Sequence, residues 1–197
     1  MDNNETFFRW ATTAVLAIFA VVRIHYSRLT AHESVQIGRE QGRDRSYYRL
    51  IGAVYILMFA YWLTPWLDFA HIRLPAGLRW LGVLVALAGV AIVWWTHRVL
   101  GRQWSGILEL RDHHRLISCG PYRRIRHPMY TGFLILPIGI TLSAANLLLG
   151  LLQIGATVAM YWARVDDEEA MMLDRFGDEY RAYRRRTGRL LPSLHRK

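Results

Sequence analysis

Long apolar runs alternate with densely charged segments along this chain of 197 residues. A helix needs about 20 apolar residues to cross the ~30 Å hydrocarbon layer of a bilayer. Three runs have about that length, residues 7–24, 47–67 and 78–96, and a fourth run, residues 129–163, has 35 residues without a formal charge. Because long apolar runs with few charges are typical of membrane-spanning helices, the pattern predicts an integral membrane protein.

The fourth run is too long for one crossing and slightly short for two. Small and polar residues interrupt it near its middle, at Ser143, Ala144, Ala145 and Asn146. We therefore expect a tight helical hairpin there, which brings the total to five spans. The predicted fold class is all-α, a polytopic membrane protein of about five transmembrane helices with a C-terminal helical hairpin.

Arginines concentrate in three of the segments between and after the apolar runs, residues 25–48, 97–128 and 164–197. Cytoplasmic segments of membrane proteins carry an excess of basic residues, so these three should lie inside and the acidic N-terminus outside. Residues 164–186 carry Met171, Met172, Phe176, Tyr180 and Tyr183 at helical spacing, with charges between them. They predict a cytoplasmic amphipathic helix at the membrane surface, which Gly188 and Pro192 end.

Composition and charge argue against several classes of function. The net charge of +10 would suit a nucleic-acid partner, but the basic residues lie beside the apolar runs instead of forming a basic domain. The only cysteine, Cys119, excludes an internal disulfide and a cysteine-built metal site. The sequence contains no dinucleotide turn, no phosphate-binding loop and no HExxH. We expect the bilayer as a partner, no nucleic acid and no metal, and the oligomeric state stays open.

Ionisable residues at a membrane edge are candidates for function, and two predicted cytoplasmic clusters contain them. The first covers residues 113–122 and 126–130, and it includes a Gly120-Pro121 turn and His127 just before Pro128. Pro128 suits the first turn of the fourth span, where its missing N–H costs nothing. Arg124, Arg126 and His127 can also be interpreted as interfacial anchors.

The second cluster follows the fifth span directly. It contains Arg164 and the four consecutive acids Asp166, Asp167, Glu168 and Glu169. One interpretation is a solvated helix face with a weak Arg164–Glu168 pair at i,i+4. Four acids in a row are unfavourable beside anionic lipid, however, which favours a cationic partner.

These residues resemble the isoprenylcysteine carboxyl methyltransferase family. The resemblance lies in HRLISCGPYRRIRHPMYTG, residues 114–132, and in EEAMMLDRFGDEYRAYRRRTGRLLP, residues 168–192, in this order around an uncharged hairpin. The family is similar to bacterial phospholipid methyltransferases and to the C-terminal half of sterol reductases. We expect the match to begin at about Trp104, with the first three spans matching only in hydropathy.

The resemblance implies an S-adenosylmethionine-dependent methyltransferase with two regions. Residues 1–100 would form an N-terminal three-span membrane region, and residues 101–197 the catalytic region with cofactor loop, hairpin and C-terminal helix. Arg164 falls on the arginine that faces the acceptor and Glu168 on the acid that contacts the cofactor, so both are candidate catalytic residues. The cofactor-binding positions fall on His114, Arg115, Leu116, Ile117, Tyr122, His127, Pro128, Met129, Tyr130 and Glu168.

These residue types suit that cofactor, which carries a sulfonium, an ammonium and a carboxylate. Tyr122 and Tyr130 can offer aromatic faces to a cation, and Glu168 can hold an ammonium or a hydroxyl. A carboxylate acceptor needs no general base. An amine acceptor must lose a proton, and Glu169 or Asp167 would be the nearest bases.

We predict carboxyl O-methylation of an isoprenylcysteine-like or other lipid-like acceptor. The alternative is phospholipid N-methylation of a phosphatidylethanolamine-type lipid, in which Arg164 would repel the ammonium of the acceptor. A reductase of the sterol type and a non-catalytic lipid-binding protein are further alternatives. The five spans, and Met129 in place of a small residue common in eukaryotic members, favour a bacterial inner-membrane protein with its active site on the cytoplasmic side.

Overall fold

The computed structural model describes residues 3–30, 35–38, 64–104, 109–111 and 115–193, and single residues between 49 and 61. Four long α-helices dominate these parts: α1 (Asn3–Thr30), α2 (Ala76–Leu100), α3 (Pro128–Ala144) and α4 (Leu147–Arg186). Short 3₁₀ helices cover Asp68–Ala70, Gly101–Gln103 and Gly120–Arg123. In the second apolar run, the described residues between 49 and 61 are helical, and residues 64–67 are not.

One pair of short strands departs from the all-α prediction. Strand β1 (Val35–Gly38) pairs antiparallel with β2 (Glu109–Arg111), with Val35 opposite Arg111 and Gly38 opposite Glu109. Both strands lie in charged segments that the sequence analysis assigned to cytoplasmic connections. Two strands this short lack the length at which alternation of apolar and polar residues becomes a signal, so the sequence did not reveal them.

The helices confirm a membrane architecture. Within the described residues, three helical stretches are long and apolar enough to cross a bilayer: Asn4–Thr30, Ala76–Gln103 and Leu147–Arg186. Helix α3 is also apolar but has 17 residues, fewer than a perpendicular crossing needs. About half of the second apolar run lies outside the described residues. The count of five spans therefore stays a prediction.

The turn between α3 and α4 lies where the sequence predicted a break. Helix α3 ends at Ala144, and Ala145 adopts a left-handed conformation with φ 49°. The Asn146 side chain accepts a 3.1 Å hydrogen bond from the Leu149 amide and donates a 2.7 Å bond to the Leu67 carbonyl. Asn146 thus caps the first turn of α4 and ties it to the segment before α2.

Helices α2 and α3 approach each other closely along a stripe of glycines. A Cβ added at Gly89 would lie 2.7 Å from the Leu136 nitrogen, and one at Gly139 would overlap the Ala86 backbone. Around this contact lies the main apolar core, which includes Val15, Phe19, Ala86, Val90, Val93, Leu136, Ile140 and Leu149. The core therefore draws on both predicted regions of the chain and packs α3 against α2.

Charged side chains inside the apolar helices find partners. At the Ala144 end of α3, Arg79 donates hydrogen bonds of 2.5 and 3.1 Å to Glu5, and Arg9 pairs with Asp68 at 2.5 Å. Near the other end, the Nη1 atom of Arg23 lies 3.2 Å from the His97 Nε2 atom. Pairing of this kind lowers the cost of placing arginine in an apolar environment.

Helix α4 continues well beyond its apolar part, residues 147–163. Its charged part, residues 164–186, is interrupted at Gly177, where φ is 50° and ψ is −119°. The helix ends at Arg186, two residues before the predicted stop at Gly188. The charged part carries Glu168 and Glu169. The residues after it fold back against the loop that precedes α3.

Candidate active site

The loop before α3 is shaped by Gly120 and Pro128. Gly120 has φ 56° and begins a 3₁₀ helix, and Pro128 starts α3 with His127 at the N-cap position. The Tyr183 hydroxyl of α4 donates a 2.8 Å hydrogen bond to the Tyr122 carbonyl. The loop is therefore held against α4 before the chain turns into the apolar core.

Glu168 lies at the centre of the candidate site. It accepts a 2.7 Å hydrogen bond from the Tyr130 hydroxyl, and its Oε2 atom lies 3.5 Å from the His127 Nδ1 atom. The Nε atom of Arg164, one helical turn earlier, lies 3.6 Å from Glu168 Oε1. About a quarter of the Glu168 side chain remains exposed, so it is open to a ligand as well as paired.

Glu169 has a different environment although it is the next residue. Only 4% of its side chain is exposed. Its Oε1 atom accepts a 3.0 Å hydrogen bond from Arg126 and lies 3.2 Å from His127 Nε2. Its Oε2 atom accepts a 3.1 Å bond from Arg189 and lies 3.6 Å from Arg184. Glu169 thus has three arginines and one histidine around it.

The residues that follow α4 return to the loop before α3. The Arg126 amide donates to the Gly188 carbonyl at 2.8 Å, and the His127 amide donates to the Arg189 carbonyl at 2.9 Å. The Gly188 amide in turn donates to Arg124 at 3.1 Å, which completes a short parallel pairing. This pairing joins the segment after α4 to the loop that carries His127.

The charges of the site shift its pKa values. Burial is the largest influence on His127 and lowers its pKa, but hydrogen bonds and charge from Glu168 and Glu169 outweigh it, so the pKa is raised. Burial raises the pKa of Glu168, yet His127, Arg164 and Tyr130 together bring it below its usual value. Burial also raises the pKa of Glu169, but its bonds to His127, Arg126 and Arg189 outweigh burial and lower the pKa strongly.

The structure brings together five of the residues predicted from the sequence. Tyr130, His127, Glu168 and Arg164 form the contacts above. Burial raises the pKa of the Tyr122 phenol, with contributions from Tyr183 and from the negative charge of Glu168, which puts Tyr122 within electrostatic range of Glu168.

The other predicted positions have separate surroundings. Pro128 is fully buried, and the Met129 sulfur lies 3.9 Å from Arg23 on α1. Arg115, Leu116 and Ile117 form an irregular stretch whose Arg115 amide donates a 2.5 Å bond to Gln103. His114 lies outside the described residues.

Two arginines contact the site although the resemblance assigns no role to either. The sequence leaves Arg126 open between a member of the first cluster and an interfacial anchor, and it indicates no role for Arg189. Both bind the buried carboxylate of Glu169. The available signal was their position inside the two quoted motifs, directly before His127 and directly after Gly188.

Comparisons with known proteins identify the family of this chain. The sequence model of the family described as phospholipid methyltransferase matches residues 78–179, just over half of the chain. The chain belongs to the phospholipid methyltransferase family. The match begins at the start of α2, earlier than the predicted Trp104.

Curated relatives of this chain include isoprenylcysteine methyltransferases. A probable protein-S-isoprenylcysteine O-methyltransferase of Oryza sativa subsp. indica is 28% identical, and the alignment covers 94% of this chain and 96% of the rice protein. The Homo sapiens protein-S-isoprenylcysteine O-methyltransferase is 27% identical over 67% of this chain and 50% of its own length. The predicted resemblance is confirmed, and the chain is a methyltransferase. The rice alignment extends into the first spans, where we expected a match in hydropathy alone.

A solved structure shares the fold. It is that of the eukaryotic intramembrane Ras methyltransferase ICMT, and it matches with a TM-score of 0.71 at 20% identity. The match covers 98% of this chain and 69% of that chain. These relatives are eukaryotic, so the bacterial host stays a prediction.

Proposed function

We propose that this protein transfers a methyl group from S-adenosylmethionine to the carboxylate of an isoprenylcysteine-like or other lipid-like acceptor. The observation that carries the proposal is the pairing of Arg164 with Glu168 on successive turns of α4, at the end of its apolar part. One helix thereby presents a cationic and an anionic group side by side at the membrane edge.

The residues around Glu168 fit the cofactor. A partly exposed carboxylate, the phenol of Tyr130 and the imidazole of His127 converge in one place, and Tyr122 lies within electrostatic range. Glu168 would hold the ammonium or a ribose hydroxyl, and Tyr122 and Tyr130 would offer their rings to the cation or the adenine. Arg115, Leu116, Ile117, Pro128, Met129 and His114 would complete the binding positions. When bound, the cofactor supplies an activated methyl group.

Arg164 would orient the acceptor. Its planar guanidinium can bind a carboxylate through two parallel hydrogen bonds, which fixes the reacting oxygen. The Arg164 side chain is 12% exposed and directly follows the apolar residues 147–163. A lipid-like acceptor could therefore keep its tail in the bilayer while its carboxylate reaches Arg164. Such an acceptor needs no general base, and proximity with exclusion of water would provide most of the acceleration.

The alternative function is phospholipid N-methylation, and the description of the family favours it. A protonated amine acceptor must lose a proton, so this reaction needs a base. Glu169 is poorly suited because its bonds to His127, Arg126 and Arg189 hold its pKa well below its usual value. Asp167 would be the remaining candidate. The cation of Arg164 beside the acceptor site also disfavours an ammonium.

The membrane arrangement is part of the proposal. Five spans would put the N-terminus outside and the Glu168 cluster at the cytoplasmic face, with the charged part of α4 lying amphipathically at the membrane surface. Residues 1–100 would anchor the chain and admit the acceptor, while residues 101–197 would carry out the reaction. A bacterial inner membrane fits the spans and the basic cytoplasmic segments.

The test offers purified protein two acceptors, each with methyl-labelled cofactor. A farnesylcysteine analogue should gain a base-labile methyl ester. Base-stable label on phosphatidylethanolamine would instead establish N-methylation. Label on neither, together with failure to bind S-adenosylhomocysteine, would reject the methyl-transfer proposal for both acceptor classes. Glu168→Ala serves as the inactive reference, because it removes the acid around which the site is built.

A further inference from the structure

The two consecutive carboxylates Glu168 and Glu169 have different surroundings. Glu168 is partly exposed and faces Tyr130 and Arg164, whereas Glu169 is almost fully buried. Successive residues of a helix point about 100° apart, which lets the pair face two sides of one neighbour. That neighbour is His127, whose two ring nitrogens lie 3.5 Å from Glu168 and 3.2 Å from Glu169.

We propose that Glu169 is a positioning residue, which orients His127 as a donor to Glu168 and does not itself touch the cofactor. The inference rests on the proposed cofactor site and assigns a role to a residue that lies behind it. The 4% exposure of Glu169 supports this role, because a side chain enclosed by Arg126, Arg184, Arg189 and His127 offers no surface to a ligand.

The protonation of His127 links the two acids. Both nitrogens of an imidazole can donate only when the ring is protonated, and a neutral ring presents a lone pair to one of the two carboxylates. The arrangement Glu168–His127–Glu169 therefore favours the charged ring. With Nε2 held by Glu169, the Nδ1–H is directed at Glu168 and fixes that carboxylate beside Tyr130.

Glu169 also holds the segments that position His127 itself. Its carboxylate binds Arg126, the residue before His127, and Arg189 of the returning C-terminal segment. The backbone pairing of these two segments passes through the His127 amide and the Arg189 carbonyl. One buried carboxylate thus connects α4, the loop before α3 and the C-terminal segment.

Every element packed around His127 contributes a charged or titratable group. Glu168, Glu169 and Tyr161 come from α4, and Tyr130 comes from α3. Arg126 belongs to the loop, and Arg189 reaches the same carboxylate from the C-terminal segment. Only the two glutamates supply negative charge, so removal of the Glu169 charge should make His127 lose its proton at lower pH.

The experiment measures S-adenosylhomocysteine binding to wild type and Glu169→Gln between pH 6 and pH 9 by calorimetric titration of detergent-solubilised protein. The ammonium group of the ligand titrates identically in the experiments with wild type and with Glu169→Gln. The ratio of the two affinities therefore reflects titration of the protein alone. In Glu169→Gln we expect the alkaline loss of affinity to begin about one pH unit lower, with affinity about tenfold weaker at pH 8 and close to wild type at pH 6.

Asp166→Asn is the matched control, because Asp166 also binds Arg189 at 3.1 Å but its side chain is 74% exposed and pairs with Arg189 instead of His127. Its pH profile should follow wild type. A constant loss at every pH in Glu169→Gln would indicate direct cofactor contact or a general structural role, and an unchanged profile would exclude any role; both results overturn the inference.

Two further results keep the inferences separate. If wild type binds no S-adenosylhomocysteine at any pH, the proposed cofactor site itself fails. If Glu169→Gln does not elute as a folded, monodisperse species, Glu169→Asp replaces it. This variant keeps the charge but shortens the side chain by one methylene, which lengthens the contact with His127, and we expect a smaller shift in the same direction. A wild-type profile in Glu169→Asp would contradict the inference.

Discussion

The Tyr130 hydroxyl donates a 2.7 Å hydrogen bond to the Glu168 carboxylate across the hairpin of α3 and α4. The two residues are 38 positions apart, and the turn at Asn146 brings their helices side by side. Tyr130 lies on the first turn of α3 and packs in a buried cluster with Met160, Tyr161 and Val165 of α4. The bond therefore connects the acid of the candidate site to the packed contact between α3 and α4.

We predict that Tyr130→Phe weakens cofactor binding without unfolding the protein. Loss of a hydrogen bond to a charged group costs about 1.5–3 kcal/mol, which corresponds to tenfold or more in the dissociation constant. Calorimetric titration with S-adenosylhomocysteine measures the effect. Tyr61→Phe is the control, because its hydroxyl donates a 3.1 Å bond to Ala144 at the far end of α3. Tyr61→Phe should affect thermal stability alone; equal affinities in the two variants would remove Tyr130 from the site.

We predict that Arg164→Ala abolishes methylation of a carboxylate acceptor while cofactor affinity changes by less than about threefold. Arg164→Lys should recover only part of the activity, since a point charge does not reproduce the planar fork of a guanidinium. Label transfer to a farnesylcysteine analogue is measured beside S-adenosylhomocysteine binding.

Arg181→Ala on the same helix is the control for Arg164. The Arg181 side chain is 56% exposed and pairs with Asp178, far from Glu168 along the helix. Its activity should remain at the wild-type level. Full activity in Arg164→Ala would show that another group orients the acceptor, and increased activity toward phosphatidylethanolamine would favour the N-methylation alternative.

The hairpin could be predicted because local signals determined it. A run of 35 uncharged residues, interrupted by small and polar residues, leaves few other arrangements in a bilayer. Pro128 and the glycine turn before it likewise defined the start of α3. Motif resemblance then grouped Tyr122, His127, Tyr130, Glu168 and Arg164, and the structure brings these five residues together.

The remaining features depend on contacts between distant parts of the chain. Glu168 and Glu169 are chemically identical in the sequence, and only packing makes one partly exposed and the other buried. The pairing of residues 124–127 with residues 188–189 has no local signature, because neither segment has the length of an ordinary strand. The close approach of α2 and α3 also requires knowing which glycines face each other.

The close approach of α2 and α3 leads to a prediction about the stability of the protein. Gly139→Ala should destabilise the protein by about 1–3 kcal/mol, the usual cost of overpacking, because its Cβ would overlap the Ala86 backbone. Gly155→Ala is the control, since a Cβ there has no neighbour within 4 Å. Alanine favours a helix over glycine, so this variant should be neutral or slightly more stable. Thermal unfolding in detergent measures both, and equal melting temperatures would contradict the packing.

The last prediction tests the proposed orientation, on which the location of the site depends. Cys119 is the only cysteine and is exposed in the loop before α3. If that loop is cytoplasmic, a membrane-impermeant maleimide should label Cys119 in inverted vesicles or permeabilised cells but not in intact spheroplasts.

Leu147 provides the opposite reporter at the other end of α3. Its side chain is 46% exposed and follows the Asn146 cap, so a Leu147→Cys substitution leaves the turn intact. In a Cys119→Ser background, Leu147→Cys should react with the reagent in intact spheroplasts. Because α3 separates the two positions, they should report from opposite sides of the membrane. Labelling of Cys119 from outside would invert the topology and place Glu168 and Arg164 away from a cytoplasmic supply of cofactor, whereas labelling of both positions from one side would show that α3 does not cross the bilayer.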